Sequence, residues 1–166
     1  MLFCLCCITL CQAGVRVSLN ESWMFSRSDS MGHYTQWQRI DVPHTWNAED
    51  TDDETPGYFR GKCMYRKSVT IPAFKSKERV FIYFEGANQE TTVWVNGREA
   101  GNHRGGYAGF GFDITEYVKF GQENQLELVV TNAYDKTIAP LSADFTFYGG
   151  VYRDVWLSYL PQVHFS

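Results

Sequence analysis

The stretch "PLSADFTFYGGVYRDVWL" (140–157) places one carboxylate, Asp144, directly ahead of Phe145, Phe147 and Tyr148 and a Gly149-Gly150 pair. A carboxylate there can cap a turn or accept hydrogen bonds from a ligand, and local chemistry does not choose between the two. Aromatic side chains in loops offer flat apolar faces, and polar groups beside them orient hydroxyls; together they suit a sugar. Trp46, Tyr58, Phe59, Tyr107 and Phe110 also fall in or beside long loops, with Asn102 as a second polar group. The same residues would suit a domain interface, and both readings stay open. Trp23, Trp94 and Trp156 lie within strand-like runs and are expected in the core.

Other chemistries find little support. No G-x-S-x-G nucleophile turn is present. "GNHRGGYAGFGF" (101–112) is rich in glycine, but it opens no helix and lacks the Lys-Ser/Thr pair of a phosphate cradle. His33, His44, His103 and His164 are scattered without metal-ligand spacing and are expected at surface or packing positions. The chain has 19 acidic residues. No two of them stand out as the carboxylate pair that glycoside hydrolysis needs. The densest cluster, "AEDTDDE" (48–54), lacks the glycine and glutamate of a calcium loop and reads as a solvated acidic loop. No metal site is expected.

The elements that must position these loops are short strands. "CMYRKSVTI" alternates, with Cys63, Tyr65, Lys67, Val69 and Ile71 on one face. "RVFIYFEG" sets Val80, Ile82 and Phe84 against Phe81 and Tyr83, and both faces read as buried. Asn96-Gly97 in "TTVWVNGREAG" is a strong hairpin-turn signal. "NQLELVVTN" aligns Leu126, Leu128 and Val130; "VYRDVWLSYL" aligns Val151, Val155, Leu157 and Tyr159 with Arg153 among them. One helical turn is expected at "DITEYVK", capped by Asp113 or Thr115. Many short strands without crossover helices predict an all-β, antiparallel, jelly-roll-like sandwich of about eight or more strands. Its long loops are residues 44–60, 102–110 and 133–149.

Length and composition set the bounds. The 166 residues, 44% apolar, fit one domain with a real core. Net charge is −4 with no basic stripe, which argues against nucleic acid as partner. "MLFCLCCITLCQAG" (1–14) is uncharged, apolar and too short for a membrane span; it reads as a secretory leader. The domain is then residues 15–166, secreted or periplasmic. Four of the five cysteines (Cys4, Cys6, Cys7, Cys11) fall in that leader, so Cys63 alone remains and no internal disulfide is expected.

Five motifs, in order, carry a resemblance. They are "SLNESWMF" (18–25), "VPHTWN" (42–47), "GYFRGKCMYRK" (57–67), "FEGANQETTVWVNGREAGNHRGGYAGFGFDIT" (84–115) and "PLSADFTFYGGVYRDVWL". The chain resembles the N-terminal sugar-binding domain of glycoside hydrolase family 2, which includes β-galactosidases and β-glucuronidases, over about residues 16–160. The resemblance implies a galactose-binding-like jelly roll ahead of an immunoglobulin-like domain and a (β/α)₈ barrel. The barrel carries the acid/base and nucleophile glutamates, so no catalytic residue is expected in this chain, which ends where the second domain would begin. It implies that Asp144 contacts the sugar in the cleaved-residue subsite, with a second contact from the loop after "VPHTWN", at Asp52, Asp53 or Asn47. Substrate-binding candidates are therefore Asp144, Asp53, Asn47 and Asn102. No cofactor is expected beyond a monovalent cation that the resemblance places near Asp144 in a full-length enzyme. Expected partners are a β-linked glycoside or oligosaccharide and the two further domains. The other classes that fit are a free-standing carbohydrate-binding module and a structural or interaction domain without activity.

Overall fold

Alternating apolar and polar residues fold into two antiparallel sheets whose apolar faces meet. The computed structural model describes residues 14–48, 58–139 and 147–161. Within them lie ten strands: β1 (Val15–Ser18), β2 (Trp23–Arg27), β3 (Gln38–Ile40), β4 (Lys62–Thr70), β5 (Glu78–Phe84), β6 (Glu90–Val95), β7 (Arg98–Arg104), β8 (Phe110–Asp113), β9 (Glu123–Thr131) and β10 (Val155–Pro161). One sheet has the order β1-β10-β5-β8 and the other β3-β2-β4-β9-β6-β7. The only helix among the described residues is a single 3₁₀ turn, Ala73–Lys75. This is the expected all-β sandwich.

Period-two side-chain geometry explains the core. Cys63 and Tyr65 of β4, Val93 and Val95 of β6 and Leu126, Leu128 and Val130 of β9 point inward from one sheet. They meet Val80, Ile82 and Phe84 of β5 and Val155, Leu157 and Tyr159 of β10 from the other. Asn96 and Gly97 take φ of 53° and 76°, the backbone that a two-residue hairpin turn between β6 and β7 requires. At "DITEYVK", where one helical turn is expected, the chain forms a hydrogen-bonded turn instead: Asp113 Oδ1 accepts from Thr115 N at 2.9 Å and Tyr117 N donates to Ile114 O.

Several expectations change. Of the three strand tryptophans only Trp23 is core; Trp94 and Trp156 are half-buried on outer sheet faces, because their neighbours Val93, Val95, Val155 and Leu157 take the inner positions. Phe81 and Tyr83 are likewise only half-buried. Arg153 precedes β10 in a bend and is exposed, its guanidinium 5.6 Å from the Tyr152 ring, so it shares no face with Val155. Trp46 and Phe110, expected on a loop platform, are buried in the core. The leader (1–13) lies outside the described residues.

Strand polarity gathers the long loops at one end of the sandwich. The pairings Lys62 with Thr131, Glu90 with Thr131 and with Arg104, and Phe84 with both Val155 and Phe110, put those strand ends side by side. The segments 42–48, 58–61, 85–89, 105–109, 132–139 and 147–154 therefore converge there. The sheets hold their bases while the loops remain free to vary.

Candidate functional site

The segment just after Asp144 is fixed by four side chains from elsewhere in the chain. Asn132 Nδ2 faces the carbonyl of Phe147 at 3.3 Å, and Asn88 Nδ2 donates to the carbonyl of Tyr148 at 2.7 Å. Asn47 Oδ1 accepts from Gly149 N at 2.7 Å, and Thr45 Oγ donates to Gly149 O at 2.8 Å. Asn88 also exchanges two backbone bonds with Gly150. Buried backbone needs such partners, and here no neighbouring strand supplies them.

Asn47 and Asn132 form the centre of this clamp. Asn132 Nδ2 also reaches Asn47 Oδ1 at 3.2 Å and Phe59 O at 3.0 Å, while its Oδ1 accepts from Gly61 N at 3.0 Å. Asn47 Nδ2 donates to the same Phe59 carbonyl at 2.9 Å. Both amides are buried. Three loops, 45–47, 59–61 and 147–149, are thereby joined through side chains alone.

The "VPHTWN" residues are the other half of the latch. Trp46 packs against Gly149, where an added Cβ would come within 2.0 Å of its ring. At Gly150, φ is 135° and an added Cβ would sit 2.2 Å from the His44 carbonyl, so glycine is required on two counts. His44 N donates to Val151 O at 2.7 Å. Its Nδ1 is 2.9 Å from the Tyr65 hydroxyl, and its ring centroid is 4.6 Å from that of Phe25. Burial, with the Arg27 charge nearby, pushes the His44 pKa down to about 4, so the ring is neutral at pH 7. The neutral ring bonds the Tyr65 hydroxyl through Nδ1, as donor or acceptor according to its tautomer.

An aromatic rim surrounds the clamp. The Arg60 guanidinium lies 4.9 Å from the Tyr58 ring centroid and 5.4 Å from that of Phe147. Tyr107 is exposed beside them; burial, then the neighbouring Tyr152 and Tyr58, holds its hydroxyl pKa above the usual value. The Tyr152 hydroxyl donates to Gly106 O. Tyr148 is 40% exposed, so its ring faces solvent while its carbonyl is clamped. The exposed rings offer flat apolar faces on which a sugar can stack.

Asp144 and Asp53, with Asp52, lie outside the described residues. Asn47 is at the loop end, fully buried, with its amide bonded to Gly149, Asn132 and Phe59. Asn102 is exposed on the outer face of β7, where Nδ2 donates to Thr92 Oγ at 2.9 Å and Glu90 Oε1 at 3.1 Å. The structure thus does not bring Asn102 and Asn47 together. Sequence reading did not single out Asn132, Asn88, Arg60 or Tyr134. The available signal was an asparagine closing the apolar run "LELVVTN", a polar residue at a strand end that opens into a long loop. No group of three or more metal-ligating side chains occurs among the described residues.

Comparison with known proteins agrees with this architecture. The family model described as glycosyl hydrolases family 2, sugar binding domain, matches residues 16–161. A β-glucuronidase of Bacteroides fragilis is 42% identical over 142 residues, covering 85% of this chain and 20% of that protein. A β-galactosidase of Thermoanaerobacter pseudethanolicus is 31% identical over 157 residues, covering 89% of this chain and 21% of that protein. The crystal structure of a Bacteroides uniformis β-glucuronidase superposes with a TM-score of 0.79 at 35% identity, covering 90% of this chain and 18% of that one. The chain spans about a fifth of the length of these relatives.

Proposed function

The chain belongs to the family of glycosyl hydrolase family 2 sugar-binding domains, and on that premise we propose that its loop end forms one wall of the sugar subsite of a retaining β-glycosidase. Asp144 supplies the carboxylate that accepts hydrogen bonds from the hydroxyls of the sugar being cleaved. The acid/base and nucleophile glutamates belong to a barrel domain of the whole enzyme. The observation that carries this reading is the clamp on residues 147–149: four side chains fix the backbone just beyond Asp144, as a contact residue needs. The relatives are named for both β-glucuronides and β-galactosides, and we take the substrate to be a β-linked glycoside of one of these two kinds.

The test is Asp144→Ala in the enzyme carrying this domain together with its barrel. A lost hydrogen bond to a charged group lowers kcat/KM about tenfold to a hundredfold on the preferred aryl β-glycoside. An unchanged kcat/KM on both the β-glucuronide and the β-galactoside removes Asp144 from the subsite.

A further inference from the structure

A groove beside the clamp runs along the outer face of the six-stranded sheet. Its floor is Lys62, Thr131 and Glu90, side by side on β4, β9 and β6; its wall is the loop carrying Tyr134 and Lys136. The volume is about 450 Å³, within the range of small-molecule sites, about 300–1,000 Å³.

The groove is held in shape from several sides. Arg104 Nη2 donates to Asp135 Oδ2 at 2.6 Å and to Thr137 Oγ at 2.7 Å. Thr137 N and Ile138 N close a turn on Asp135, and Ile138 is buried beneath it. Asn102 orients Glu90. The Tyr134 ring is 64% exposed, a flat apolar face on the wall.

Charge identifies the class of ligand. Asp135 is paired with Arg104 and held as the anion: bonds from the Thr137 side chain and backbone, and then Arg104, keep its carboxyl below the usual range. Lys62 and Lys136 have no ion-pair or hydrogen-bond partner among the described residues. Lys62 and Lys136 face two carboxylates, Glu90 and Asp135, and Asp135 is already neutralised by Arg104 behind it, so the groove with Arg104 carries a net charge of +1 on a chain of net charge −4. The groove is also continuous with the candidate site. Gln89 and Tyr134 line it and also line the narrow cleft leading to Arg60, Asn132 and Phe147.

We propose that this groove is a second saccharide subsite, in which Tyr134 stacks on an anionic sugar unit and Lys62 and Lys136 bind its carboxylate or sulfate. The proposal rests on the saccharide reading of the loop end but not on Asp144, which the groove does not include.

The test is calorimetric titration of this chain with methyl β-glucuronide, methyl β-galactoside 6-sulfate and uncharged methyl β-galactoside, at low and at moderate salt. At least one anionic sugar binds roughly tenfold or more tightly than the neutral one, as hydrogen bonds to charged groups allow. The advantage shrinks with salt because the lysines are solvent-accessible. The sugar that shows it tells carboxylate from sulfate. The double variant Lys62→Gln, Lys136→Gln lowers anionic affinity to the neutral level with an unchanged melting temperature; Tyr134→Ala weakens all three sugars. Equal affinity for charged and neutral sugars overturns the proposal, as does full anionic binding by the double-lysine variant or binding of none of the three. Turnover by the Asp144→Ala enzyme tests the catalytic reading and calorimetry on the double-lysine variant tests this one, so the two can fail separately.

Discussion

Removing the Asn132 side chain should loosen the clamp more than any surface change at the same end. Asn132→Ala removes the 3.0 Å acceptor of Gly61 N–H and the Nδ2 contact to Phe147 O. Phe59 O keeps the bond from Asn47 Nδ2, and Asn47 Oδ1 keeps Gly149 N, so those groups lose less. Loss of these two partly buried contacts, at about 1–2 kcal/mol each, puts the destabilisation near 2–4 kcal/mol. For a domain of this size that lowers Tm by about 10 °C. Asn132→Asp is the sharper variant. It preserves volume and the bond from Gly61 N, but sets a carboxylate oxygen against the oxygens of Asn47, Phe59 and Phe147. It should be at least as unstable as Asn132→Ala at pH 7 and recover on acidification, when a protonated oxygen can donate again. Urea unfolding reads both, through a lower midpoint at constant slope. Hydrogen exchange should show faster amide exchange at Gly61 and Gly149. An Asn132→Ala variant within 1 kcal/mol of the parent, or an Asn132→Asp variant that tracks the parent at pH 7, would refute the clamp as a major source of order.

Other predictions follow from the latch. Gly150→Ala places Cβ 2.2 Å from the His44 carbonyl at a φ of 135°, and should destabilise by more than about 2 kcal/mol or prevent soluble expression; a variant with the parent's Tm would contradict that geometry. His44, held down to about 4, is neutral in both folded and unfolded states above pH 6.5. Between pH 6.5 and 4 only the unfolded chain takes up the proton, so stability falls as pH falls through that window. For a wholly buried ring the loss is about 3 kcal/mol, and partial exposure reduces it to about 1–2 kcal/mol. His44→Gln should show a shallower fall in urea midpoint over the same window, and equal slopes would exclude His44 as the source.

The sheets were legible because strand patterning is local. Alternation in β4 and β9 named the inward residues, and Asn96-Gly97 marked its hairpin. Where apolar residues filled both faces, as in β5 and β10, the pattern could not tell core from outer surface. Phe81, Trp94 and Trp156 were placed by which face of each sheet met the other, which alternation alone does not give.

The sequence by itself determined the sandwich, the order of the five motifs and the position of Asp144 ahead of Gly149-Gly150. The tertiary structure decided what the amides do. Asn47 bonds Gly149, 102 residues away, and Asn132 bonds Asn47, 85 residues away. Asn102, on an exposed strand face, turns to Glu90 instead. An amide's residue type allows clamp, ligand contact or surface pairing equally. Its role is set by which carbonyls and N–H groups the converging loops bring within about 3 Å, and that distance exists only after the sheets have closed.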